Sequence, residues 1–254
     1  QQMFNIIKKI IKKILPKFVW DFLKQFVHSS VFFFSRFKDQ KNNTVLIHIG
    51  KCGGSTLKKA IMQVNNDFPF DIVHIEKPFF KSKNKYIIIA RGPISRAISA
   101  FNWRYKLVVE TEIQKNRFKD EHKILVKYKN LNNISEKLYN TDSKPNYDVH
   151  KEMKKIHHIK ENIAYYLKDF LKKCPPKNIN AVLMQENLDS DLKRVFNVNT
   201  VAKVKDNSAY KKDEFLSDLA KKNLRLFLSD DYDALKKLYN YGKIDKNTFS
   251  KIIN

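Results

Sequence analysis

The spacing of apolar residues changes character near Thr44. Upstream, Ile7, Ile10, Ile11 and Ile14 recur at helical spacing, with Lys8, Lys9, Lys12 and Lys13 on the opposite face. Pro16 interrupts that helix, and Phe18, Val19, Phe22, Leu23, Phe26 and Val27 mark a second amphipathic stretch. Val31-Phe32-Phe33-Phe34 follows. No run reaches the ~18 apolar residues of a membrane span. The first stretch also lacks a small-residue cleavage site and does not read as a signal peptide. Residues 1–43 therefore read as a basic amphipathic helical segment. Such a segment suits a helix lying on an anionic membrane surface through residues 1–41, or a pair of helices packed on the domain that follows.

Beyond Thr44 short apolar runs alternate with helical patterns. The short apolar run that begins at Thr44 and gives way to the turn at Gly50 reads as a buried strand, residues 70–75 as a second and Lys85–Ala90 as a third. The third is continuously apolar, as a parallel strand covered on both faces should be. Ile179–Met184 is a fourth. Between and after them, Leu57, Ala60, Ile61 and Val64 give one helix its stripe. Short helical segments are expected around residues 119–128 and 135–139. Met153, Ile156, Ile159, Ile163, Leu167 and Phe170 predict one long amphipathic helix that ends before Pro175 and Pro176. A helix follows over 191–196, and another carries Phe215, Leu216, Leu219, Leu224 and Phe227. A last one is capped and begun by Ser229-Asp230-Asp231-Tyr232, with Leu235 and Leu238 inward. This alternation predicts an α/β fold over residues 44–254, with a central parallel sheet flanked by helices.

The length of 254 residues allows one sizeable core plus an appendage, and 43% apolar residues exclude a disordered chain. A formal net charge of +24 points toward anionic partners. Lys, Asn and Ile are all frequent, so much of that charge belongs to solvated surface, and no nucleic-acid-binding signature accompanies it. Specific nucleic-acid binding is not expected. The two cysteines, Cys52 and Cys174, are far apart and form neither a disulfide framework nor a zinc spacing, and no metal site is expected.

Candidate chemistry gathers after two strands. The turn Gly50-Lys51-Cys52-Gly53-Gly54-Ser55-Thr56 holds three of the chain's five glycines and leads into a helix. A strand, a glycine turn and a helix N-terminus together present free N–H groups and a positive dipole end to an anion. Lys51 adds a mobile cation, Ser55 and Thr56 add hydroxyls, and Cys52 reads as a small filler. The lysine precedes the glycine pair, so this is not a Walker A loop. The third strand runs into Arg91-Gly92-Pro93-Ile94-Ser95-Arg96-Ala97-Ile98-Ser99-Ala100-Phe101. Pro93 suits a first helical turn. Arg91 would project from the strand end as a bidentate phosphate donor, and Ser99 lies two turns into the helix. Arg96 reads as an ordinary surface or structural ion pair.

Lys51-Cys52-Gly53-Gly54-Ser55-Thr56 resembles the 5′-phosphosulfate loop of sulfotransferases that use 3′-phosphoadenosine-5′-phosphosulfate (PAPS), most closely the carbohydrate branch of heparan sulfate and family 2 type. The stretch from Arg91 to Phe101 resembles that family's 3′-phosphate motif, with Gly92 where Asp is frequent. The likeness extends over about residues 44–242. It implies a P-loop-type three-layer fold, PAPS as cosubstrate, adenosine 3′,5′-bisphosphate (PAP) as product, and a hydroxyl acceptor, expected to be a carbohydrate. Lys51, Cys52, Gly53, Gly54, Ser55, Thr56 and Leu57 would hold the 5′-phosphosulfate, and Arg91 and Ser99 the 3′-phosphate. Lys51 would stabilise the leaving phosphate. His74, at a strand end, is the expected base, with Glu76 and Glu186 as alternatives. His48 reads as structural, and His157 and His158 are placed on the expected long helix, where they would line an acceptor cleft. The residues leave two rival readings, a P-loop nucleotide kinase-like enzyme and a non-catalytic polyanion- or membrane-binding protein. The lysine-first loop and the lack of a Walker B-like acidic strand end oppose the first. A cytoplasmic location is expected, or a peripheral one on the cytoplasmic side of a bacterial membrane.

Overall fold

Strand β1 (Thr44–His48) is the strand around which the sheet is laid out. It pairs with β2 (Asp71–His74) on one side and with β3 (Lys85–Ala90) on the other. Strand β4 (Ile179–Met184) adds to β3, giving the order β2-β1-β3-β4 with every pairing parallel. The computed structural model describes residues 43–64, 70–198 and 215–253, with the side chains of residues 63 and 64 excepted. The chain divides into Gln1–Lys41 and Asn42–Asn254. The first of these lies outside the described residues, and the expected amphipathic segment with it. No helix among the described residues is long and apolar enough to cross a membrane.

The chain leaves β1 toward one neighbour and returns to the other, so the connections after β1 and β3 diverge. An open parallel sheet binds its ligands in the crevice that such a reversal leaves at the carboxyl ends of the strands. Helix α1 (Gly54–Val64) follows β1, and α2 (Pro93–Tyr105) follows β3 and runs on into a π-helical turn, Lys106–Glu110. The remaining helices are α3 (Glu121–Tyr128), α4 (Leu131–Glu136), α5 (Tyr147–Met153), α6 (Ile163–Leu167), α7 (Phe170–Lys173), α8 (Leu188–Phe196), α9 (Asp218–Phe227), α10 (Ser229–Asn240) and α11 (Lys246–Ile253).

Two apolar clusters hold these elements. One packs β1, β3 and β4 with Leu57, Ala60 and Ile61 of α1, Leu188 and Leu192 of α8, and Leu235 and Leu238 of α10. The other joins α2, α3, α4, α5 and α9 through Phe101, Leu125, Ile134, Met153 and Leu224. Tyr232 packs on both. Within the second cluster Arg104 and Glu121, both buried, form a two-pronged ion pair at 2.9 and 2.6 Å. Gln114 Oε1 accepts from the third guanidinium nitrogen at 2.6 Å, and Glu121 Oε1 also accepts the His157 N–H at 2.8 Å. That pair thus ties α2, α3 and the turn at residue 157 together.

Four expectations are corrected. The helix predicted from Met153 to Phe170 is broken: α5 ends at Met153, and α6 and α7 are separate short helices. The apolar residues keep their burial, but His158 takes a left-handed φ of 67° and Asn162 caps α6 by accepting the Tyr165 N–H. The segment expected at 135–139 lies earlier, as α4. The helix begun at Ser229 is not the last. Its first turn follows directly on α9 with no Ser229 cap bond, and Asp245, which accepts the Thr248 N–H at 2.9 Å, starts α11. Of the stripe expected on α9, Leu216 just ahead of the helix and Leu224 within it are buried, but Phe215 ahead of the helix and Leu219 are exposed, and Ala220 and Asn223 face inward.

Asp231 of α10 is fully buried. Its Oδ1 accepts the Ala164 N–H at 2.7 Å, and its Oδ2 has no hydrogen-bond partner among the described residues. Burial pushes its carboxyl up from 3.8 to about 6, against the pull of Arg96. A raised folded-state value means that this group's stabilising contribution is complete below pH 3.8 and is lost as pH rises through about 6. The size of the shift corresponds to roughly 3 kcal/mol. Asp231→Asn keeps an acceptor for Ala164 and cannot ionise. Denaturant unfolding at pH 4 and pH 7 should therefore show the difference in stability moving in favour of the variant by about that amount as pH rises. A pH-independent difference would exclude ionisation of Asp231 in this range.

Candidate active site

A cavity of about 790 Å³ opens at the carboxyl ends of β1 and β3, where the sheet order reverses. Gly50, Lys51, Gly53, Gly54, Ser55 and Thr56 line it from the turn after β1, and Arg91, Ser99 and Trp103 from the β3–α2 side. His48, His74 and His158 face it, as do Gln185 to Ser190 beyond β4. The structure thus brings together Lys51, Gly53, Gly54, Ser55, Thr56, His74, Arg91 and Ser99 from the sequence-derived set. Cys52 and Leu57 line nothing in the cavity. Their side chains are buried in the core, and the Leu57 N–H donates to Gly53 O at 3.0 Å within the first turn of α1. Burial pushes the Cys52 thiol up to about 12, which leaves it protonated and inert.

The turn is shaped by close approaches. Gly53 has φ +89°, which favours glycine. A Cβ on Gly54 would stand 2.1 Å from the His48 ring. That ring in turn stacks on His74, with centroids 4.1 Å apart and planes 15° apart, because His48 and His74 are register partners on β1 and β2. His48 is therefore a spacer between the loop and His74, in line with its structural reading.

His74 Nδ1 lies 2.8 Å from His48 O. A carbonyl oxygen only accepts, so Nδ1 carries the proton. In the neutral ring the lone pair is then on Nε2. Just after His74, Ile75 has φ 74°, costly for a β-branched residue. Its N–H donates to the Tyr166 hydroxyl at 3.2 Å, and its carbonyl accepts from the Tyr165 hydroxyl at 3.3 Å.

Arg96 is not an ion-pair surface residue. It is buried, and its Nε donates to Gly50 O at 3.0 Å while Nη2 donates to His158 O at 2.9 Å and to Glu161 O. It therefore clamps the turn after β1 to the segment that carries His158. His158 itself is driven down to about 2, first by burial and then by the positive charges of its surroundings, so it stays neutral. His157 does not line the cavity. It pairs with Glu161 at 3.0 Å and stacks on Phe118. Glu76 is also outside. Glu186 lines the cavity, but its Oε1 accepts the Gly92 N–H at 2.8 Å and the Ser95 hydroxyl at 3.2 Å, which fastens the end of β4 to the start of α2. Ser95 Oγ also receives the Arg91 Nε at 3.1 Å, which orients that guanidinium.

Sequence reasoning missed Trp103, the clamp role of Arg96 and, apart from Glu186, the rim from Gln185 to Ser190. Trp103 was within reach, because it lies one helical turn past Ser99 on the same face of α2. Lys51 Nζ sits 4.5 Å from the centre of its ring. Among the described residues no three His, Cys, Asp or Glu side chains converge as a metal site.

Gly54→Ala should force the His48 ring from its seat and destabilise the fold by roughly 1–3 kcal/mol. In Gly54→Ala/His48→Ala the obstacle is gone, so the double variant should be more stable than the sum of the single losses, by a coupling of about 1 kcal/mol or more in denaturant unfolding. Simple additivity would contradict the contact.

Compared with protein-family models, with curated proteins and with solved structures, the chain gave no match.

Proposed function

We propose that this chain is a PAPS-dependent sulfotransferase of P-loop-type, three-layer architecture, acting on a hydroxyl of a carbohydrate. One observation carries the reading. Two anion-donor sets from different strand ends, Lys51 to Thr56 and Arg91 with Ser99, face one cavity together with a histidine whose tautomer leaves Nε2 as an acceptor. The donor set fits the group. The glycine turn and the first turn of α1 suit a 5′-phosphosulfate, and a second anion site fits the 3′-phosphate that separates PAPS from ATP. Residence in the cytoplasm or on its membrane surface through residues 1–41 belongs to the same proposal.

PAPS supplies the sulfuryl group: a bond from the acceptor oxygen to sulfur forms while the bond from sulfur to the 5′-phosphate oxygen breaks, and that oxygen keeps the electron pair. Lys51 and the loop N–H groups meet the charge growing on the departing phosphate. His74 Nε2 takes the acceptor's hydroxyl proton, and His48 O holds the resulting imidazolium through Nδ1–H. Arg91 and Ser99 hold the 3′-phosphate and set the donor's orientation. Glu186 and Asp189 in the same cavity favour a second reading, metal-assisted phosphoryl transfer from ATP, since carboxylates are what such a metal requires.

Ligand-dependent melting separates the readings. PAP at ~100 times its dissociation constant should stabilise the fold by roughly 2.7 kcal/mol, with 5′-AMP and Mg-ATP far weaker. Equal shifts from PAP and 5′-AMP would remove Arg91 and Ser99 from the 3′-phosphate site.

Lys51→Ala and His74→Ala should fail differently. Loss of Lys51 should slow transfer to every acceptor by ~10²–10³. Loss of His74 should lower turnover by roughly 10²–10⁴ with PAP affinity nearly unchanged, and should partly spare an acidic hydroxyl such as a nitrophenol. A folded His74→Ala enzyme with near-normal turnover would show that His74 is not the base.

A further inference from the structure

The backbone of His158 is held on both sides. It sits at φ 67°, Glu161 Oε2 accepts its N–H at 2.9 Å, and its carbonyl accepts from Arg96 Nη2 at 2.9 Å. Neither of its ring nitrogens has a hydrogen-bond partner among the described residues, and the ring faces the cavity. The neighbouring His157 differs: it lies outside the cavity, and its Nδ1 meets Glu161 at 3.0 Å. A strained backbone fixed around a polar ring that the protein itself leaves unpaired suits a position that meets a ligand. Its place is specific. A Cβ on Gly50 would stand 3.1 Å from His158 Nδ1 and 3.9 Å from His74 Cε1. Two imidazoles therefore flank the residue that opens the anion loop, and a glycine there leaves room between them.

Resting on the sulfotransferase reading, we infer that His158 is the second group on the acceptor hydroxyl: while His74 Nε2 takes the proton, the His158 N–H donates to the same oxygen and holds it at the mouth of the anion loop. A hydroxyl offers one proton and two lone pairs. The proton goes to His74, one lone pair forms the bond to sulfur, and the other accepts from His158. A neutral imidazole suits that place. An imidazolium beside His74 would oppose the positive charge that His74 gains as it takes the proton. Burial first, then His157 and the positive charges of Arg96, Lys51 and Arg104, hold His158 down at about 2, so it donates without carrying charge. The strained backbone and its two ties fix the ring before the acceptor arrives.

Diethyl pyrocarbonate acylates an unprotonated imidazole nitrogen that nothing else occupies, so it tests the ring without turnover. In the full chain without nucleotide, peptide mapping should find His158 modified. Its rate should stay level from pH 5 to pH 8, whereas an ordinary histidine slows as it protonates below about 6.5. An unmodified His158, or a rate that falls in the ordinary way, overturns the inference. Transfer is read with labelled PAPS and 4-nitrophenyl β-glucoside as the sugar hydroxyl. His158→Gly removes the ring and fits φ 67° without strain. It should lower kcat/KM for the glucoside by roughly ten-fold or more, with the PAP melting shift and the pH profile of kcat/KM unchanged. His158→Asn keeps an N–H donor and tolerates the left-handed backbone, and should recover part of the loss. An unchanged kcat/KM in His158→Gly, no recovery in His158→Asn, a lost limb of the pH profile or a weakened PAP shift overturns the inference and leaves the sulfotransferase reading standing. Failure of PAP to bind, or no transfer to the glucoside from the unaltered chain, removes both.

Discussion

A buried guanidinium must find acceptors for its N–H groups, and Arg96 finds them on the carbonyls of Gly50, His158 and Glu161. Those three carbonyls come from the turn after β1 and from the segment between α5 and α6, while Arg96 itself rides on α2. One side chain thus joins the three pieces of backbone that surround the cavity. Leaving such a group without its acceptors is costly in a dry interior. The turn, the strand-end helix and the His158 segment are therefore held in one arrangement. The charge of Arg96 also reaches outward: it helps keep His158 neutral and partly offsets the rise at Asp231.

The same region stores backbone strain. Lys51, Ile75 and His158 all have left-handed φ without being glycine. Conformations of this kind cost on the order of 1–3 kcal/mol each and persist where surrounding contacts over-determine them. Here the contacts are specific. Arg96 holds the carbonyls of Gly50 and His158, Glu161 holds the His158 N–H at 2.9 Å, and two tyrosine hydroxyls hold both polar groups of Ile75. The strained residues carry or adjoin the cation, the candidate base and the neutral imidazole of the cavity. Positions fixed in advance in this way need little rearrangement when charge develops.

The periodicity of the chain carried the sheet. Short, mostly apolar runs such as Lys85–Ala90 and Ile179–Met184 suit covered parallel strands, and both stand with the bounds the pattern predicts. Residues whose role is set by local backbone geometry were legible too. A glycine-rich turn between strand and helix, and an arginine ahead of a proline-started helix, point to the same cavity whatever packs around them. The segment from Met153 to Phe170 was not legible. Its apolar spacing fits a continuous helix, and buried Ile156 and Ile159 agree with that pattern as well as with the broken chain observed. What breaks it is Arg96, some sixty residues away, which takes the carbonyls of His158 and Glu161.

The sequence by itself determined the parallel α/β sheet, the glycine turn that places Lys51, Ser55 and Thr56 after β1, and the strand end and helix start that place Arg91 and Ser99 beside the same cavity. Each rests on local period, glycine content or a helix start, which nearest neighbours along the chain decide. Only the tertiary structure decided that His48 stacks on His74 and fixes its tautomer, that Glu186 serves as a tie between β4 and α2, and that Lys51 rests on Trp103. These depend on strand register, on the order β2-β1-β3-β4 and on a buried arginine's need for acceptors. All three are properties of contacts between segments far apart in the chain, which no local pattern encodes.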